Sequence, residues 1–269
     1  MEGASRESFA AARDRLAAVA SGADAEQVSS DLRAVARLLS REPGLRRALS
    51  DPAQPARSRS ELLTSLLGGK VSDAALQVLQ TAVEGRWSSS SDLLDAVELL
   101  AVEADLAVAE ADGSLADVED ALFRFGRIVE ASPRLAVLLS DPTVEADRRV
   151  ELVQSLLGGK TTPVAARLAE TAVYGLGGRS FDASLRRLVE LTAARRDRQV
   201  AYVRVAAPLS EQQEDRLAAR LAAIYGRQVS LQVVVDRSVI GGASVQIGDD
   251  LYDGTVSRRL ELARSALSA

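Results

Sequence analysis

The chain has 269 residues, a net charge of −5 and 47 % apolar content, enough for one to three domains with real cores. It contains no histidine and no cysteine, which excludes disulfides, thiolate metal sites and Ser-His-Asp or Cys-His catalytic pairs together. Acids and arginines are scattered, and the lack of a concentrated basic stripe argues against a nucleic-acid partner.

The start, Met1-Glu-Gly-Ala-Ser-Arg-Glu-Ser8, is polar, and no apolar run reaches the roughly 18 residues of a membrane helix. A soluble intracellular chain without a signal peptide is expected. Aromatics are only 3 %, so the cores must be built from Ala, Leu and Val, which suits close-packed helices. Phe9 and the run Ala10–Ala20 read as the first of them.

A repeat follows. Glu61-Leu-Leu-Thr-Ser-Leu-Leu-Gly-Gly-Lys70 returns as Glu151-Leu-Val-Gln-Ser-Leu-Leu-Gly-Gly-Lys160, an offset of 90 (151 − 61). The same offset pairs Ser50-Asp51-Pro52 with Ser140-Asp141-Pro142, Pro43 with Pro133, Arg37 with Arg127, Thr81-Ala82-Val83 with Thr171-Ala172-Val173, and Asp92 with Asp182. No gap is needed, which predicts a duplicated helical unit. Leu62, Leu63, Leu66 and Leu67, like Leu152, Val153, Leu156 and Leu157, are expected on one apolar face. Gly68-Gly69 and Gly158-Gly159 should cap those helices, with Lys70 and Lys160 against the negative helix ends. Gly158-Gly159-Lys160-Thr161 is no phosphate loop: Gln154 stands where the first glycine is needed, and no strand precedes it. Trp87 reads as a packing plug or partner contact, and the long run 91–111 serves as last helix of one copy and first helix of the next.

The tail changes character. Val200–Ala206 alternates as a strand, and Ser210-Glu-Gln-Gln213 is a capping box opening a helix stopped by Gly226. Val229, Leu231, Val233 and Val235, then Ala243, Val245 and Ile247, mark two further half-buried strands. Turns are expected at Gly241-Gly242 and Gly248-Asp249-Asp250, and Asp253-Gly254-Thr255 should open a helix bearing Val256, Leu260, Ala263 and Leu267. The expected fold is mainly α: two tandem helical bundles, residues 1–97 and 98–198, followed by a small α/β C-terminal domain, residues 199–269.

The order Ile240-Gly241-Gly242, Ile247-Gly248-Asp249, Asp253-Gly254-Thr255 and Arg258-Arg259-Leu260 resembles the C-terminal signature of the delta subunit of bacterial F-type ATP synthase. The mitochondrial member of that family is the oligomycin-sensitivity-conferring protein. The family has one N-terminal bundle of about six helices, so the duplication departs from its common pattern.

The resemblance implies a non-catalytic, cofactor-free peripheral-stalk (stator) subunit on the cytoplasmic face of the cell membrane, held there through its complex, with one copy per complex. It implies an N-terminal bundle that binds N-terminal helices of alpha subunits and a C-terminal domain that binds b subunits. The family's groove falls between the helix around Phe9 and Leu16 and that around Val78 and Val83. In the second copy it falls between Val102 and Leu106 on one side and Leu168 and Val173 on the other, giving two candidate sites. Candidates toward the b subunits are Leu251, Tyr252, Val256, Arg258 and Arg259. Two other readings compete: a helical-repeat interaction scaffold, which leaves the tail signature unexplained, and a carboxylate-dependent enzyme, which the missing His and Cys disfavour.

Overall fold

The structure, a computed structural model, describes residues 3–20, 24–196, 199–225, 229–236, 239, 241–247, 250–256 and 258. The chain divides into two compact units, Met1–Ala193 and Ala194–Ala269.

The first unit holds helices α1 (Ala4–Val19), α2 (Asp24–Arg41), α3 (Pro43–Ser50), α4 (Ala56–Leu67), α5 (Asp73–Glu84) and α6 (Ser90–Ala111). It continues with α7 (Leu115–Ala131), α8 (Pro133–Ser140), α9 (Ala146–Leu157), α10 (Pro163–Tyr174) and α11 (Phe181–Arg196). The repeat is visible in the boundaries: α3, α4 and α5 recur 90 residues on as α8, α9 and α10, with the same local devices. Pro43 and Pro133 start α3 and α8, where no amide donor is needed. Ser72 and Thr162 cap α5 and α10 through Ala75 N (3.3 Å) and Ala165 N (3.2 Å). Gly69 and Gly159 take the left-handed conformation after α4 and α9 (φ +72° and +69°), and Lys160 Nζ donates to Leu156 O at 3.1 Å.

Two apolar cores lie within this one unit, and α6 belongs to both. Its Leu93, Ala96, Val97, Leu100 and Ala104 sit in the first core, and Val102, Leu106 and Ala109 sit in the second. The cut expected at 97/98 therefore falls inside a continuous helix of 22 residues, and the seam between units lies at 193/194.

Two expectations about the repeat need correction. On α4, Leu63 and Leu67 are buried but Leu62 and Leu66 are exposed, whereas on α9 Val153 is buried and Leu152, Leu156 and Leu157 pack half-buried on the same core. The repeat is also not gapless to its end. Phe181, Ser184, Leu185, Leu188 and Thr192 of α11 fill the places of Leu93, Ala96, Val97, Leu100 and Ala104, an offset of 88 (181 − 93). Three left-handed glycines, Gly175, Gly177 and Gly178, tighten the link before α11. In the first copy that space holds Trp87, buried, with Nε1 donating to Ala82 O at 2.8 Å. Asp92 and Asp182 are thus not equivalent in packing.

The second unit runs β1 (Gln199–Val205), α12 (Glu211–Tyr225), β2 (Val229–Val235), β3 (Ala243–Ile247) and β4 (Asp250–Asp253), with sheet order β2-β1-β3-β4. β1 and β2 are parallel, joined by α12, and the other pairs are antiparallel. Gln213 closes the capping box by accepting from Ser210 N at 2.8 Å. Ala201, Val203, Val205, Leu221, Val245 and Ile247 form the core. Ser244, expected on the outward face of its strand, is buried; the side chains of Ser230 and Gln232 lie outside what the structure describes. Past the turn expected at 248–250, a fourth strand not foreseen in the sequence starts at Asp250, which pairs with Ile247. Gly226, Ile240, Gly248, Asp249, Arg259 and the tail helix through Leu260, Ala263 and Leu267 lie outside the described residues. No helix among the described residues is long and apolar enough to cross a membrane.

Arg59 is nearly fully buried and donates to five carbonyls: Val83, Glu84 and Gly85 at the end of α5, and Asp51 and Gln54 in the turn after α3. Arg59→Met should strand those acceptors and cost about 2–4 kcal/mol in urea unfolding, since each unsatisfied buried group costs about 1–3 kcal/mol. A loss below about 1 kcal/mol would mean that solvent replaces the guanidinium.

Candidate partner-binding surfaces

Seven of the eight residues expected to line grooves are core: Leu16, Val78 and Val83 in the first, Val102, Leu106, Leu168 and Val173 in the second. Helices carrying Ala at their contacts approach until the space between them closes, so the periodic apolar residues meet each other and offer no surface. Phe9 is half-buried, packs against the first core and lines a cleft with Leu99 and Arg179. Any groove must be drawn from the polar and small residues along the outer seams.

The two copies use those seams differently. In the first, Arg15 of α1 donates to Gln77 of α5 across an exposed seam. Ninety residues on, the equivalent pair is Asp105 of α6 and Arg167 of α10, bonded at 2.8 Å. This second pair is covered. Asp105 is fully buried because α2 lies over it: Arg33 pairs with its other oxygen, and Glu26 meets Arg167 at 2.7 Å. Ser29 donates to Ala101 O at 3.2 Å from the same face of α2. One and two turns along, Arg37 stacks over the Tyr174 ring at 5.4 Å, and Arg41 reaches Asp147, which also accepts from the Tyr174 hydroxyl at 2.8 Å. A helix of the first copy thus occupies the second copy's α6/α10 seam. The expectation of an equivalent open groove in both copies is not met, since sharing α6 forces α2 against α10.

Glu98 sits beside this junction with Arg33, Arg37, Tyr174 and Leu176 around a small cavity of about 40 Å³. Burial pushes its carboxyl up to about 7, against a hydrogen bond from Gly177 N; neighbouring Asp95 pushes the same way, and Arg179 and Arg46 oppose.

On the second unit, Leu251, Tyr252, Val256 and Arg258 are exposed, as a docking surface requires; Arg259 is not described. The Tyr225 hydroxyl lies 2.9 Å from Asp250 Oδ2 and 3.1 Å from the Tyr252 hydroxyl, with the rings edge-to-face at 6.5 Å. That holds Tyr252 in place on β4. Asp253 accepts from Thr255 N at 3.0 Å, and Thr255 Oγ1 accepts from Arg258 N at 3.3 Å, an N-cap that opens the helix expected there. Hydrogen bonds from Thr255 hold the Asp253 carboxyl below its usual range. Sequence reasoning missed the α2 arginine ladder, although Arg33, Arg37 and Arg41 recur at helical spacing.

The chain matches the family described as ATP synthase delta (OSCP) subunit over residues 10–105 and again over 101–267. It is 54 % identical over 267 residues to the ATP synthase subunit delta of Salinispora arenicola, covering 98 % of this chain and 97 % of that one. The corresponding protein of Streptomyces griseus is 49 % identical over 265 residues, 98 % of each chain. That of a Parafrankia species is 48 % identical over 278 residues, covering the whole of both.

Because the Glu98 pKa is raised on folding, its contribution to stability is full below about 4.5 and is lost as pH rises through about 7. Urea unfolding between pH 5 and 8 should show a decline that Glu98→Gln removes, up to about 3 kcal/mol by the usual conversion of 1.36 kcal/mol per pH unit. Parallel profiles for the two proteins would place the titrating group elsewhere.

Proposed function

The chain belongs to the ATP synthase delta (OSCP) subunit family as a non-catalytic component of the peripheral stalk, and on that footing we propose how it holds its neighbours. The α1/α5 seam of the first copy takes an amphipathic N-terminal helix of one alpha subunit. The surface of the second unit around β4, with Leu251, Tyr252, Val256 and Arg258, takes the b subunits, and Arg259, outside the described residues, joins that contact by its place in the sequence. One copy per complex works at the cytoplasmic face of the cell membrane, reaching the membrane only through its partners.

The observation that carries the first assignment is the α2 helix on α6/α10. It is a worked case, inside this chain, of a helix seated on this type of seam through paired charges over a polar pair. The equivalent first-copy pair, Arg15–Gln77, lies exposed and offers a cation where the second copy offers Asp105. A partner helix should therefore present a carboxylate to Arg15 and its apolar stripe to the neighbouring Ala-rich surface. The exposure of Leu251 (60 %) and Tyr252 (46 %) supports the second assignment, because apolar side chains on a short edge strand call for cover.

The test is calorimetric titration of the full chain with a synthetic alpha-subunit N-terminal peptide. Arg15→Glu should weaken binding at least about tenfold, about 1.4 kcal/mol, with helicity unchanged because Arg15 is exposed. Unchanged affinity would remove the α1/α5 seam from consideration.

A further inference from the structure

The two copies pin the segments that follow α5 and α10 by different chemistry. In the first, Ser8 of α1 accepts from Arg86 N at 2.8 Å and donates to Arg86 O at 2.8 Å. Ninety residues on, α6 carries Glu98 in the place of Ser8, and its carboxyl accepts from Gly177 N at 2.7 Å. A hydroxyl that does not titrate near neutrality is thus exchanged for a carboxyl, which can.

The segment that Glu98 holds has little else to fix it. Its glycines Gly175, Gly177 and Gly178 are left-handed (φ +86°, +62° and +69°), and Gly178, Arg179 and Ser180 are exposed. Its own backbone bonds are long, Gly178 N to Gly175 O at 3.2 Å and Arg179 N to Leu176 O at 3.4 Å. The firm point is Leu176, buried, with its N–H donating to Ser184 Oγ at 2.9 Å. The link borders the small cavity beside Glu98 through Gly175 and Leu176. Through Leu176 and Gly177 it also borders an open cleft of about 290 Å³. Residues 177–180 can swing outward and admit water to the carboxyl while α6, held in both cores, stays in place.

Among the described residues no cation forms an ion pair with Glu98. On α2, Arg33 is taken by Asp105 and Arg37 lies over the Tyr174 ring. Arg179 of the link donates to Leu176 O at 3.0 Å, and Arg46 of α3 to Leu39 O at 3.4 Å. Glu170 of α10, which lines the same cavity, accepts from Gln154 at 2.9 Å, and Asp95, one turn earlier on α6, adds a like charge. The bond from Gly177 favours the carboxylate and burial opposes it. Burial wins, so ionisation loosens the closed link.

We propose that Glu98 is a proton-operated latch: protonated, it holds the 175–180 link shut against α6, and ionised, it lets the link swing out into water. The latch lies wholly within the first unit, so it stands apart from the assignment of partners to the α1/α5 seam and to the second unit. In a stalk it makes the junction of the two copies firmest in acid. Because burial raises the carboxyl from 4.5 to about 7, the hold is full below about 4.5 and is lost as pH rises through about 7.

The test is hydrogen exchange of the full chain, read by mass spectrometry at peptide resolution and corrected for the intrinsic pH dependence of amide exchange. Opening of amides 177–180 should increase at least about fivefold from pH 5 to pH 8. These amides should exchange faster than those of α6 at every pH, since the opening is local. The first copy's link at 86–88, pinned by serines, should show no such rise. Glu98→Gln should hold the second link at its low-pH exchange rate throughout. Asp95→Asn should keep the step and move its midpoint down, because Asp95 pushes the Glu98 carboxyl up. An undiminished step in Glu98→Gln would overturn the latch. So would loss of the step in Asp95→Asn, or link amides that exchange only together with α6.

Discussion

Asp105 is a carboxylate with almost no exposed surface, and it is tolerated because two arginines from opposite sides reach it. Burying an unpaired charge costs several kcal/mol, so the ion triad forms only when α2, α6 and α10 are all in place. That makes it a device for specifying one arrangement of the two copies. Hydrophobic contact alone would tolerate some sliding of α2 along α6. The arginine ladder Arg33, Arg37, Arg41 extends the same registration over two turns, with contacts that grow more exposed along the helix. The buried end sets the position, and the exposed end adds little energy.

A stalk subunit has to resist torque, and the construction of the first unit suits that task. Two bundles linked by a flexible segment would bend at the link. Here the link is α6, 22 residues and about 33 Å of continuous helix, with its first half in one core and its second half in the other. Bending it would open both cores at once. Glu98, on the same helix at the junction, adds a polar group whose charge is opposed by burial, so the junction is tightest when that group is protonated.

Much of this was legible in the sequence, and the failures have a common cause. The repeat, the glycine caps, the shared long helix, the capping box at Ser210 and the N-cap at Thr255 are local or periodic signals, and each can be read from a few adjacent residues. The groove residues could not be read that way. Leu16, Val78, Val102 and Leu168 carry the periodicity because they are core, and the same pattern cannot tell a buried stripe from a docking stripe. The exposed Arg15–Gln77 seam carries no hydrophobic signal at all. Likewise β4 is four residues bounded by Asp and Gly, too short to alternate visibly. The 88-residue packing offset of α11 was hidden because an ungapped alignment still pairs Asp92 with Asp182 by chance.

The differences between the copies show how a repeat can stop at two. Each internal contact pairs a face of one type, α2 beside α6, with a seam of the other type, α6 beside α10. Two copies therefore leave one seam and one face unused, α1/α5 and α7/α11. If the array were meant to grow, the free face would keep the chemistry of the covered one. Instead Arg33 has become Phe123, the aspartate at 105 has become Ala193, and the free seam offers Arg15 where the covered one offers Asp105. Two of the charges that join the copies, Arg33 and Asp105, are thus absent from the unused face, while Arg127 keeps the place of Arg37.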